Sequence, residues 1–144
     1  GKIVVTTNYP DFYPLQRYAE RSDLRKKLYN QFSSRAWPKN EPLIKELLTL
    51  RHRYANLMGF STWASYNAQD KMVKTAETVD RFIKDLRSMV QGQSDKELAE
   101  ILERKKKDDP EATQVEVFDR FYYVNKLRKE NYGFDAKTVR PYFA

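Results

Sequence analysis

Asn40-Glu41-Pro42-Leu43-Ile44-Lys45-Glu46-Leu47-Leu48-Thr49-Leu50-Arg51-His52-Arg53-Tyr54-Ala55-Asn56-Leu57-Met58-Gly59 carries both ends of a helix and its apolar face. Asn40 is a good N-cap. Glu41 and Pro42 suit the first turn, where negative charge meets the positive end of the helix dipole and a missing N–H costs little. Leu43, Leu47, Leu50, Tyr54 and Leu57 recur at helical spacing. Gly59 follows the last turn, where a left-handed cap is cheap only for glycine.

The same grammar runs outward in both directions. Upstream, Ser22 suits an N-cap, with Asp23 behind it, and Leu24, Leu28 and Phe32 share a face. That helix should end near Ser33–Arg35, before Trp37-Pro38. Asp11-Phe12-Tyr13-Pro14 is turn-like, with a short helix following through Ala19. Ile3-Val4-Val5-Thr6-Thr7-Asn8-Tyr9 is β-branched, stops at Pro10 and reads as a strand. A lone strand needs a partner, which is expected outside this chain.

Downstream, Ser61 can start a short helix with Trp63, Ala64 and Tyr66. Thr75 caps another, whose face carries Val79, Phe82, Ile83, Leu86 and Val90; burying Phe82 would contribute about 1.5–3 kcal/mol. Gly92 is expected to end it. Ser94-Asp95-Lys96-Glu97 reads as a capping box opening a further helix, closed by Arg104-Lys105-Lys106-Lys107 at the negative dipole end. Asp108-Asp109-Pro110 breaks the pattern, and Val115–Tyr132 is helical up to Gly133. The tail ends in apolar Arg140-Pro141-Tyr142-Phe143. The fold class is therefore mainly α, a multi-helix segment over residues 1–144 with one short N-terminal strand.

Composition narrows function. The chain has 144 residues, 40% hydrophobic and 33% charged, with only four glycines. It contains no cysteine, so disulfides, thiolate metal sites and thiol nucleophiles are excluded. A cytoplasmic, reducing setting fits that usage. No apolar run approaches the roughly 20 residues of a membrane span. Gly1-Lys2-Ile3 is not a natural initiator sequence, so the true N-terminus is expected upstream unless a cleaved tag left this start. The net charge of +7 admits a basic nucleic-acid-binding module, but Lys and Arg are spread along the chain and no nucleic-acid motif is present.

Catalytic constellations are missing. A zinc hydrolase needs at least two imidazoles, often as H-E-x-x-H, and the chain has one His, His52 between Arg51 and Arg53. A serine triad would need that same His52, without a G-x-S-x-G elbow. Glu97, Glu100 and Glu103 alternate with Lys96, Arg104 and Lys105, the pattern of a solvated, salt-bridged flank. No catalytic and no metal-binding residue is therefore assigned, and the substrate-binding residues remain open. The densest aromatic cluster, Phe118-Asp119-Arg120-Phe121-Tyr122-Tyr123, can line a binding channel or pack in a core. Tyr122 and Tyr123 are the first of these to test for contact with substrate.

Several stretches fall in a telling order: Tyr9-Pro10-Asp11-Phe12-Tyr13-Pro14, Arg25-Lys26-Lys27-Leu28-Tyr29, Leu50-Arg51-His52-Arg53-Tyr54-Ala55-Asn56-Leu57-Met58-Gly59-Phe60, Trp63-Ala64-Ser65-Tyr66, Met72-Val73-Lys74-Thr75, Phe118-Asp119-Arg120-Phe121-Tyr122-Tyr123 and Pro141-Tyr142-Phe143. In this order and spacing they resemble the thimet-oligopeptidase family of zinc metallopeptidases, which includes neurolysin, oligopeptidase A and dipeptidyl carboxypeptidase. The family has Trp where Phe118 stands. The resemblance implies a larger, helical, two-lobed peptidase around a deep channel. In it, zinc and the general-base glutamate belong to an H-E-x-x-H half lying beyond the point that matches Ala144. The chain would be a fragment supplying scaffold and channel wall, inactive alone, with the catalytic half of the same protein as partner and short peptides as substrates of the whole. The other readings are a protein-interaction domain and a basic nucleic-acid-binding module.

Overall fold

Proline and threonine set where the first helix begins. In the computed structural model, which describes residues 3–143, Pro10 lies in the first turn of α1 (Tyr9–Tyr18). The Thr6 N–H and hydroxyl both donate to the Asp11 carboxylate, at 2.9 and 2.7 Å, and tie the incoming chain to that turn. These bonds hold the Asp11 carboxyl below the ordinary carboxylate range. Gly1 and Lys2, read above as an unnatural start, and Ala144 lie outside the described residues.

After α1 come α2 (Ser22–Ser33), α3 (Glu41–Leu57), α4 (Trp63–Ala68), α5 (Ala76–Lys106), α6 (Arg120–Tyr132) and α7 (Ala136–Val139), then a 3₁₀ turn at Arg140–Phe143. The chain is mainly α, as its sequence pattern requires. No helix among the described residues is long and apolar enough to cross a membrane.

Several local expectations are corrected. The strand over Ile3–Tyr9 is absent: Ile3 and Val4 are exposed, no ladder forms among the described residues, and Tyr9 is already helical. β-Branched residues favour a strand only where a neighbouring strand accepts them. The supposed turn Asp11–Pro14 is inside α1. Gly92 does not end a helix, nor does Ser94 start one, because α5 continues through both for 31 residues. Helix α6 starts at Arg120 rather than Val115, after a turn in which Asp119 N–H donates to Glu116 O at 2.9 Å.

Other end signals hold in part: Asn40 stands at the N-cap of α3 but makes no side-chain cap hydrogen bond. Gly59 and Gly133 have φ of +84° and +61°, the left-handed region in which a side chain would be strained. Thr75 Oγ1 accepts from Thr78 N–H at 3.1 Å. Thr62, rather than Ser61, caps α4 through Ser65 N–H. Ser22 is not a cap; Arg21 occupies that position.

The chain divides into two units. One holds residues up to Arg35 together with those from Asp95 onward; the other is Ala36–Ser94. In the first, α1 packs on α2 and α6. Phe12 stacks on Phe32 with ring centroids 3.8 Å apart, and Tyr13 meets Phe121 edge-on at 5.7 Å. Ile101, Tyr122 and Tyr123 form its buried nucleus, flanked by Val115, Val124 and Leu127.

The second unit is organised differently. α3 packs on α4 through Tyr54, Trp63 and Tyr66, and the Tyr54 and Tyr66 rings meet edge-on at 5.2 Å. Only Ala55 and Ala68 are buried among its residues. The stripe Leu43, Leu47, Leu50, Tyr54 and Leu57 is exposed, as are Ile83, Leu86 and Val90. Phe82, expected to be buried, is 63% exposed. The stripes exist as the sequence spaces them, and within this unit nothing covers them.

Candidate functional site

Asp119 is the centre of the best-built polar site. It stands at the start of α6 and is almost wholly buried. A buried carboxylate is stable only if its oxygens are paired. Arg25, on α2, supplies a fork: Nη2 donates to Oδ1 at 2.6 Å and Nε at 3.1 Å. Ser22 Oγ donates to the same oxygen at 3.1 Å. Lys105, near the end of α5, donates from Nζ to Oδ2 at 3.0 Å and to Gln114 O at 3.1 Å. Arg25 Nη1 closes the chain between α1 and α2 by donating to the carbonyls of Ala19 and Glu20.

A second ring of charge surrounds the first. Arg104 Nε donates to Glu130 Oε1 at 2.6 Å, and its Nη1 to Asp108 Oδ1 at 3.0 Å. Lys126 Nζ donates to Asp108 Oδ2 at 2.6 Å. The face of Tyr122 lies between two cations, with the Arg25 guanidinium 4.1 Å and Lys126 Nζ 4.7 Å from its centroid. Burial pushes the Asp108 carboxyl up, but the hydrogen bonds and charges of Lys126 and Arg104 outweigh it and hold it below the ordinary range. Burial, then the charges of Asp108 and Asp119, push the Tyr123 hydroxyl up, so it stays protonated at neutral pH.

Arg25, Lys105, Asp108, Asp119, Tyr122 and Lys126 line a polar recess of about 430 Å³. Asp119 is held by two cations and a hydroxyl and Asp108 by two cations, while Glu20 and Asp109 also line the recess. The arrangement can fasten α2, α5 and α6 together and fix the orientation of Tyr122.

The residues singled out from the sequence disperse. His52 is exposed and shares a 3.1 Å contact from Nε2 with the Asn56 amide, without a second imidazole. Glu97, Glu100 and Glu103 are exposed, and Glu103 pairs with Lys106. Tyr122 and Tyr123 are buried, 7% and 5% exposed, and both also border the ionic recess. Arg104 and Lys105 do more than meet a helix dipole, since both are buried in ion pairs. The role of Arg25 was not visible beforehand. Its sequence cues were its place in the stretch Arg25–Tyr29 that carries the resemblance and its spacing three residues before Leu28 on α2.

The zinc implied by the resemblance does not fit this donor set. The single imidazole faces an amide, and among the described residues no three His, Asp or Glu side chains converge to hold a metal ion.

Comparison with known proteins places this geometry. The profile of Peptidase family M3 matches residues 15–144. Saccharolysin of Saccharomyces cerevisiae is 32% identical over 144 aligned residues, covering 96% of this chain and 20% of that protein. Oligopeptidase A of Salmonella typhimurium and of Escherichia coli are each 30% identical, covering 97% of this chain and 22% of theirs. The chain thus spans about a fifth of the length of these relatives. The match bears out the resemblance seen in the aromatic and arginine motifs, and the chain belongs to peptidase family M3.

Proposed function

We propose that this chain is a non-catalytic helical portion of a zinc-dependent oligopeptidase, serving as scaffold and as wall of the channel that admits short peptides. The zinc ligands and general base would come from further polypeptide of the same protein, and the chain alone would be inactive. Family membership and the oligopeptidase names of its relatives support the reaction class. The observation that carries the scaffold role is the second unit: it matches the family throughout yet buries only two alanines. Helices with uncovered apolar stripes need another surface to rest on. The ionic cluster supports the same role, because it ties three helices together through Asp119. A cytoplasmic setting is part of the proposal, with which the cysteine-free sequence is compatible.

The test is reconstitution. The purified chain should not cleave a quenched fluorescent peptide, with or without added zinc. Co-produced with the remaining polypeptide of its gene, it should give cleavage that a chelator abolishes. Chelator-sensitive cleavage by the chain alone would overturn the proposal.

A further inference from the structure

Another recess in the first unit differs from the ionic cluster in that no carboxylate lines it, although Arg128 also borders a neighbouring cleft that holds Glu97 and Glu100. Arg17 on α1 and Arg120 and Arg128 on α6 line a cleft of about 360 Å³ together with Phe121, Asn125 and Phe134. No acidic residue lines it. Among the described residues none of the three guanidinium groups has an ion pair or a hydrogen bond to a carboxylate; Arg17 only lies 5.8 Å from the Tyr13 ring centroid. The nearby Asp135 carboxylate is engaged by the Tyr18 hydroxyl at 3.3 Å and by Lys129 at 3.6 Å. In the ionic recess, Arg25, Lys105 and Lys126 are all matched to carboxylates.

We propose that this cleft binds a carboxylate-bearing peptide. Three like charges around one cavity repel each other, and an anion between them converts that repulsion into attraction. Guanidinium forks match carboxylate oxygens two at a time. The Phe121 and Phe134 rings offer an apolar wall for a neighbouring side chain, and the Asn125 amide can both donate to and accept from a peptide bond. The volume falls within the roughly 300–1,000 Å³ range of small-ligand sites. Nucleic acid is a poorer match, since it is held by a long track of phosphate contacts rather than one small walled cleft. The choice of a peptide as carrier of the carboxylate rests on the peptidase reading. The cationic, aromatic character of the cleft does not.

The test is fluorescence anisotropy of the full chain with a labelled hexapeptide of alternating Glu and Phe, at low salt. The expected result is binding that weakens at least tenfold for the Gln-for-Glu peptide. Arg120→Gln and Arg128→Gln should each weaken it about tenfold, with unchanged helicity, as loss of a charge-assisted hydrogen bond would. Arg120→Lys should restore part of the loss, and Arg81→Gln, in the other unit, should change nothing. Equal binding of the two peptides, indifference to the arginine variants, no binding at micromolar protein, or displacement by a uridine oligonucleotide at lower concentration than the acidic peptide would each overturn the assignment. Hydrolysis is not measured here, so failure of this site and failure of the reconstitution test above are distinguishable.

Discussion

Arg25 shows how a charged side chain becomes structural. Its guanidinium meets Asp119, the carbonyls of Ala19 and Glu20, and the face of Tyr122. Removing one partner of a buried pair is costlier than never building the pair, because the other charge stays desolvated; typical losses are about 3–5 kcal/mol. Arg25→Met should therefore lower the unfolding free energy of the first unit by about that amount, read from urea denaturation followed by far-UV circular dichroism. Lys105 still faces Asp119, so the lower end of the range is expected. An unchanged midpoint would mean that Lys105 and Ser22 alone satisfy the carboxylate. The outer pair gives a pH signature. Asp108 has a lowered pKa when folded, so its ion pairs stabilise the fold above the ordinary carboxylate range, and that contribution fades as pH falls through the lowered value. Stability of the wild-type chain should drop below about pH 4, and Asp108→Asn should be less stable at pH 7 yet less sensitive to acid. None of this was legible beforehand. Arg25 and Asp119 lie 94 positions apart, and no local rule pairs residues at that distance.

At the scale of elements, what was legible is what is local. Gly59, Gly133 and Thr75 end or begin helices through atoms within one turn, so their signals could be read without the fold. Gly92 misled because a stop signal and an interior glycine look alike in sequence. Its backbone is helical within α5, and a Cβ there would meet nothing within 4 Å. The stop signal lost because an interior glycine costs only about 1 kcal/mol relative to alanine, little against the remaining bonds of a 31-residue helix. Gly92→Ala should accordingly stabilise the chain by about 0.5–1 kcal/mol, seen as a raised thermal midpoint and slightly more helical signal at 222 nm. A fall in stability would show that α5 must bend at Gly92 in solution. The strand expected over Ile3–Tyr9 failed for the opposite reason. Strand formation depends on a neighbour, and intrinsic preference alone could not supply one.

For the whole molecule, the decisive contrast is between a unit with a core and a unit without one. The first unit closes around Ile101, Tyr122 and Tyr123. The second places Leu47, Leu50, Tyr54, Leu57 and Trp63 around an open apolar groove of about 600 Å³. Leu47, Leu50, Tyr54 and Leu57 were legible as a stripe, but not their fate, since a stripe states that a face wants cover and not where the cover lies. Uncovered apolar faces of this kind drive association in water. At tens of micromolar, the chain should therefore sediment as concentration-dependent oligomers and enhance the fluorescence of a hydrophobic dye. Leu47→Lys with Leu50→Lys should shift it toward monomer. Both side chains are about half exposed, so the replacements should leave helicity nearly unchanged. If instead the unaltered chain is a monomer at that concentration and α3 resists urea as well as α6 does, the groove is a stable solvent face. The scaffold reading would then lose its main support, because a face that needs no cover gives no reason to place further polypeptide against it.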